Sequence, residues 1–244
     1  MNKFFKVDFA LAAKEVGKVF HQVQDFELNE NYDENNRNLF NDAELSKYID
    51  YKINIPYFVL HKSAILSDLV SSAGLRPNLI LISPKLLSLL QKFKIDDYQT
   101  FKVKVKVKTS EGLKDYFLFF MYAPDREAEY VDWTATTFRI KPYLNASMYE
   151  YENDQIIKFE NKQDYLKLRM EFFRMPKQEQ EVVLTNLKLR NGLIDRDMFR
   201  FGGMSLSFFV SEALKNEIEK QCITGIRFVD ADGLREPYHQ PQGV

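Results

Sequence analysis

The segment Phe101-Lys102-Val103-Lys104-Val105-Lys106-Val107-Lys108 alternates apolar and charged residues without a break. Successive side chains of a strand point to opposite faces, so this period of two demands a β-strand with one face in a core and one in water. Val103, Val105 and Val107 are expected inward, the lysines outward. Ser110-Glu111-Gly112 marks a turn, and Tyr116 to Tyr122, almost wholly apolar, is expected to return as the partner strand.

Around this pair the pattern predicts strands at Phe4–Phe9, Tyr57–Leu60, Leu79–Ile82, Ser207–Val210 and Gly225–Val229, with others at 129–133, 137–141, 155–160 and 182–189. Two helices are announced by serine caps. Ser83-Pro84 precedes Leu86, Leu87, Leu89, Leu90 and Phe93 at helical spacing, and Ser211-Glu212 precedes Leu214 and Ile218. The segment 163–175 fits helix or strand, and the spacing of Leu166, Met170 and Phe173 favours helix. Strand, serine cap, helix and strand thus occur twice, which fits either two related halves or the general chemistry of strand-to-helix junctions. Residues 29–38 are too polar to bury and form a loop. The expected fold is α+β, a mostly antiparallel sheet flanked by a few helices. It fills one domain over 1–234, and residues 235–244, with Pro237, Pro241 and Gly243, are a frayed tail.

A chain of 244 residues can bury a large core without staples. Cys222 is the one cysteine, so no intramolecular disulfide forms, as suits a reducing compartment. Standing four residues after Ile218, it extends the apolar face of that helix or sits just beyond it, and is expected to be a buried, inert thiol. Lys6 and Asp8 interrupt the apolar opening before it reaches signal-peptide length. The run from Tyr116 to Ala123 is too short to span a bilayer. A cytoplasmic location is therefore expected, with no membrane partner.

A net charge of −1 excludes a globally basic nucleic-acid binder. Charge is nonetheless segregated. Between Asp25 and Asp50, eight acids (Asp25, Glu27, Glu30, Asp33, Glu34, Asp42, Glu44 and Asp50) face Arg37 and Lys47 alone, a balance of −6. This stretch is either a solvated loop or a surface that steers a basic partner. Lys102, Lys104, Lys106 and Lys108 form a solvated or protected strand face, or else a contact for nucleic acid or an acidic partner.

His21, His61 and His239 stand far apart, and none pairs with another His or Cys at metal-ligand spacing. Asp230-Ala231-Asp232-Gly233 imitates part of a calcium loop but lacks its third acid and closing glutamate, so a plain turn is expected. Asp195 and Asp197 flank Arg196 in what reads as a surface turn, and Gly202-Gly203 lacks the context of a phosphate loop. Trp133, the lone tryptophan, fits a packing role or an interface anchor. No catalytic, cofactor or metal residue is read from this pattern. An enzyme using scattered acids with Arg200 remains an alternative, as does a nucleic-acid module on the lysine strand.

Several segments taken in order carry a resemblance. They are Lys3-Phe-Phe-Lys-Val7, Ile65-Leu-Ser-Asp68, Leu81-Ile-Ser-Pro-Lys-Leu-Leu87, Tyr116-Phe-Leu-Phe-Phe120, Val131-Asp-Trp133 and Thr137-Phe138. Met198-Phe-Arg200, Val210-Ser-Glu-Ala-Leu214 and Thr224-Gly-Ile-Arg-Phe228 complete the succession. Together they resemble an immunity-protein family of bacterial polymorphic toxin systems, the immunity protein eleven or forty-three group. The resemblance implies a cytoplasmic, non-enzymatic protein without cofactor that binds and neutralises a cognate toxin domain by occlusion. Asp132, Trp133 and Arg200 match recurring positions of that family and join Asp25, Glu27, Glu30, Asp33 and Glu34 as candidate partner-binding residues.

Overall fold

A computed structural model describes residues 3–38, 48–76, 78–107, 112–121, 126–142, 156–174, 180–201, 204 and 207–235. In chain order these form β1 (Phe4–Phe9), α1 (Ala13–Val16), β2 (Val23–Glu27), β3 (Arg37–Asn38), β4 (Ile53–Asn54), β5 (Tyr57–Leu60), β6 (Leu69–Val70) and β7 (Leu79–Ile82). Next come α2 (Pro84–Leu90), β8 (Tyr98–Val107), β9 (Leu113–Met121), α3 (Glu127–Tyr130) and β10 (Thr137–Pro142). Beyond them lie β11 (Ile156–Ile157), α4 (Lys162–Arg174), β12 (Gln180–Asn186), β13 (Met198–Arg200), β14 (Phe208–Ser211), α5 (Glu212–Lys220) and β15 (Ile226–Asp230). The fold is α+β with mostly antiparallel sheets. Among the described residues no helix is long and apolar enough to cross a membrane.

The alternating segment is the spine of the largest sheet. β8 pairs antiparallel with β9 from Tyr98↔Met121 to Lys106↔Leu113. Val103 and Val105 are buried, while Lys102 and Lys106 are exposed. The sheet runs β2-β5-β8-β9-β7-β6, and its β5–β8 pairing is parallel. A second sheet runs β13-β14-β1-β15, and a third runs β11-β10-β12.

These sheets separate three apolar layers. One face of the six-stranded sheet, with Phe58, Val105, Leu118 and Phe120, packs with Val23, Ile49 and Val70. Its other face, with Ile80, Ile82, Phe119 and Met121, meets α2, α5 and the Phe208 and Val210 face of the second sheet. The far side of that second sheet, with Phe4, Phe199 and Phe209, packs on Phe138, Leu184 and Tyr165 of the third sheet and α4. Layers on both sides explain why β7, β13 and β14 are buried at every position.

The two serine-capped helices share one hydrogen-bond plan. Ser83 Oγ accepts from Leu86 N at 3.1 Å and donates to Asp68 Oδ1 at 2.6 Å. Ser211 Oγ accepts from Leu214 N at 3.2 Å and donates to Asp197 Oδ1 at 2.7 Å. Each serine N–H also donates to the carbonyl of its aspartate, at 2.8 Å in both cases. The second oxygen of each carboxylate reaches the residue that follows the other helix. Asp68 Oδ2 accepts from Thr224 N at 2.9 Å, and Asp197 Oδ2 accepts from Lys94 N at 3.1 Å.

The pairing topology agrees with this exchange. β6-β7-β9-β8 and β13-β14-β1-β15 are runs of the same order, with β1 standing where β9 stands in the other run. Strand, serine cap and helix therefore belong to two equivalent units, and the first strand of the chain completes the second one. Gly225 sits where the units meet, at φ +85, and a Cβ there would lie 2.1 Å from Leu69 O.

Two expectations are corrected. Residues 129–133 are not a strand. Tyr130 N donates to Arg126 O at 2.8 Å, closing the turn of α3, which places Tyr130, Val131 and Trp133 in the core without a ladder. Cys222 is exposed, because α5 ends in a left-handed turn: Cys222 takes φ 50, and Ile223 N donates to Ile218 O at 3.1 Å. Ile223, not Cys222, continues the apolar face. Residues 163–174 take the helix that their spacing favours; α4 buries Tyr165 and Phe172 and turns Leu166, Met170 and Phe173 outward. The positions Asp42, Glu44, Lys47, Lys108, Ser110, Glu111, Gly202, Gly203 and His239 and the tail beyond Arg235 lie outside the described residues.

Candidate functional site

The acidic candidates gather at one edge of the six-stranded sheet. β2 is its edge strand, with Asp25 and Glu27 exposed, and the loop after it carries Glu30, Asp33 and Glu34, all exposed. The loop holds its shape through Asn54, whose amide accepts from Asp33 N at 3.1 Å and donates to Asp33 O at 2.7 Å. Asp33 Oδ1 in turn accepts from Asn35 N at 2.9 Å, which pulls its carboxyl below the ordinary value. Leu28 and Tyr32 stand out of the same loop, 69% and 47% exposed. Beside them is a cleft of about 160 Å³ lined by Phe26, Leu28, Tyr32 and Pro56 among others.

Tertiary pairing brings the lysine row against these acids. Lys106 Nζ lies 2.8 Å from Glu27 Oε2, and Lys104 Nζ lies 2.7 Å from Asp115 Oδ1. Lys102 and Lys104 share a broad groove of about 480 Å³ with Glu30, Tyr57 and Asp115. Tyr57 Oη donates to Glu30, which, with the Lys104 charge nearby, holds the Glu30 carboxyl below its usual range. The edge is thus a mosaic of both signs, and the run of acids read from residues 25–34 does not form an unrelieved negative face.

The other three candidates lie inward. Trp133 is 2% exposed, donates Nε1–H to Glu127 O at 3.0 Å and stacks on Phe138 with centroids 6.0 Å apart. It packs the core and offers a partner no surface. Asp132 is half-buried; its Oδ1 accepts from Thr134 Oγ1 at 2.9 Å and Ala135 N at 3.1 Å, and these bonds hold its carboxyl low. It shapes the turn after α3. Arg200, on β13, is 6% exposed; burial lowers its pKa, opposed by the Glu127 charge. Glu127 is buried and lies 2.9 Å from Lys162 Nζ at the start of α4. These residues tie α3, β13 and α4 together.

A second charged cluster was not legible in the sequence. Asp96, almost fully buried, lies 3.2 Å from both Arg126 and Arg196. Asp195 receives Lys94 Nζ at 2.8 Å and Tyr130 Oη at 2.9 Å, and these bonds depress its pKa to about 2. Burial, the Asp195 bond and neighbouring acids push Tyr130 up to about 12. Residues 96, 126 and 195 are remote in sequence, and each reads there as an ordinary surface charge. Asp232 N donates to Asp230 Oδ1 at 3.0 Å, closing the turn expected there. Among the described residues no three of His, Cys, Asp and Glu stand together as a metal site.

Outside the acidic edge, the most conspicuous exposed apolar feature is α4. Leu166, Met170 and Phe173 are 37%, 47% and 69% exposed. They follow one another at i, i+4 and i+7, so they form one row along the helix.

The chain matches no family model and no curated protein. The functional reading therefore rests on the residues themselves.

Proposed function

We propose that this protein is a non-enzymatic immunity protein that neutralises a cognate bacterial toxin domain by covering it. The ordered succession of segments from Lys3 to Phe228 that resembles such proteins supplies the class. The observation that carries the binding role is the Leu166–Met170–Phe173 row on α4. An amphipathic helix normally presents polar groups to water, and apolar residues kept in line on its outer face favour a partner that covers them. Lys167 and Arg174 are exposed on the same helix and suit the polar rim of such an interface. The acidic edge, with Leu28 and Tyr32 projecting from it, is the second surface of this kind, and Asp25, Glu27, Glu30, Asp33 and Glu34 would speed encounter with a basic toxin.

Co-expression with the toxin-like gene nearest to this one, scored for survival and co-purification, tests the reading. Protection with a stoichiometric complex is expected. Met170→Glu with Phe173→Glu should abolish both, while reversal of Asp25, Glu27 and Glu30 should slow association and flatten its salt dependence. A purified protein that neither protects nor co-purifies sinks the immunity reading. Full protection by the α4 variant would move the interface off that helix.

A further inference from the structure

A cavity of about 230 Å³ opens between the six-stranded sheet and the β13-β14-β1-β15 sheet. Val7, Leu69, Ile80 and Phe208 give it apolar walls, and His21, Ser72 and Arg76 bring polar groups to it. Lys6 and Asp8 also line it, but Asp8 is held by Arg227 at 2.7 Å and Lys6 at 3.8 Å.

Two polar atoms of this lining stand out. His21 Nδ1 and Ser72 Oγ are both buried and have no hydrogen-bond partner among the described residues, and Ser72 is only 9% exposed. Their immediate neighbours in sequence are fully engaged. Gln22 N donates to Ser71 Oγ at 3.0 Å, Gln22 Nε2 donates to Ile65 O at 2.6 Å and Ser67 Oγ at 3.0 Å, and Ser71 N donates to Gln22 Oε1 at 2.9 Å. This network fixes Gln22 and Ser71, the residues beside the two orphaned groups. Buried polar groups are nearly always paired, and an orphan at a cavity wall marks a missing partner.

We propose that the cavity binds a small carboxylate with an apolar body. Ser72 O–H and a neutral His21 imidazole offer hydrogen bonds to the carboxylate, and the apolar wall takes the hydrocarbon. Cavities of roughly 150 Å³ with aliphatic and aromatic linings accept benzene, so this one has room for a benzoate- or hexanoate-sized molecule.

Calorimetric titration of the full chain with benzoate, phenylacetate and hexanoate tests the site, with hexan-1-ol as the uncharged control. Saturable binding is expected, with a carboxylate at least about tenfold tighter than the alcohol. Ser72→Ala, which removes the hydroxyl without adding bulk to the cavity, should weaken binding about tenfold while melting no lower than the parent. No saturable binding by the parent chain at millimolar carboxylate overturns the proposal, as does an alcohol that binds equally well. Unchanged affinity in a folded Ser72→Ala chain also overturns it. The titration uses no toxin, so its outcome is separate from that of the immunity assay.

Discussion

The Ser83 hydroxyl donates to the Asp68 carboxylate at 2.6 Å while capping α2. A cap alone contributes about 1 kcal/mol. Asp68 does more than orient that cap, since its other oxygen receives Thr224 N at 2.9 Å beyond α5. Ser83→Ala is expected to cost about 1 kcal/mol and Asp68→Ala about 2 kcal/mol in urea unfolding. Ser211→Ala and Asp197→Ala should repeat the pattern. Equal losses for serine and aspartate would show that the bridge between units contributes nothing.

Removal of the N-terminal strand should damage the far end of the chain. β1 lies between β14 and β15, pairing Phe4 with Ser211 and Phe5 with both Val210 and Asp230. Deleting residues 1–9 strips a central strand from that sheet and exposes Phe209 and Phe228. Loss of hydrogen-exchange protection in α5 and β15 is expected. Native protection there after the deletion would refute the role given to β1.

Glu127 has no solvent-exposed side chain and lies 2.9 Å from Lys162 Nζ. Removing one partner of a buried ion pair costs up to about 3–5 kcal/mol, and here Met204 N at 3.3 Å and the Arg200 charge remain to offset part of the loss at Glu127. Lys162→Met should therefore lower stability by less than that, about 1–3 kcal/mol, and Lys162→Met with Glu127→Gln by less than the single change. The comparison by chemical denaturation checks the coupling directly.

Acidification should destabilise the fold in two stages. Burial holds His21 below its ordinary value of 6.5, so the unfolded chain takes up that proton first. The stability owed to neutral His21 is complete above pH 6.5 and is lost as pH falls below it. Asp195 is depressed from 3.8 to about 2, so its contribution is present above pH 3.8 and is lost as pH falls toward 2. Asp96 acts the other way: burial raises its pKa against the pull of Arg126 and Arg196, and its ionisation opposes folding as pH rises. Urea midpoints across a pH series should show the His21→Gln chain with a flatter first stage, and Asp195→Asn with a flatter second one. An unchanged first stage in His21→Gln would assign it to another group.

Much of the architecture is legible in the chain because local chemistry specifies it. The lysine–valine alternation can only be a half-buried strand, and a serine before a run of leucines at helical spacing caps a helix whether or not its neighbours are known. β8, β9, α2 and α5 were therefore readable one at a time, and so was the likeness between the two strand–serine–helix segments. What the chain could not disclose is which way each element faces. Leu166, Met170 and Phe173 have the spacing of a core stripe, yet the buried stripe is the neighbouring one of Tyr165 and Phe172, about 100° away around the helix for each residue of offset. Trp133 was ambiguous between core and surface until α3 placed it inside.

Sequence by itself determined the α+β class, the capped helices and the segregation of charge, since these follow from residue type and spacing over a few positions. Tertiary structure alone decided that acids and lysines share one edge, that Asp96 meets two arginines, and that His21 and Ser72 line a common cavity. Each of those pairs lies dozens of residues apart. Such meetings depend on how the sheets stack, a property of the whole packed chain that no local pattern encodes.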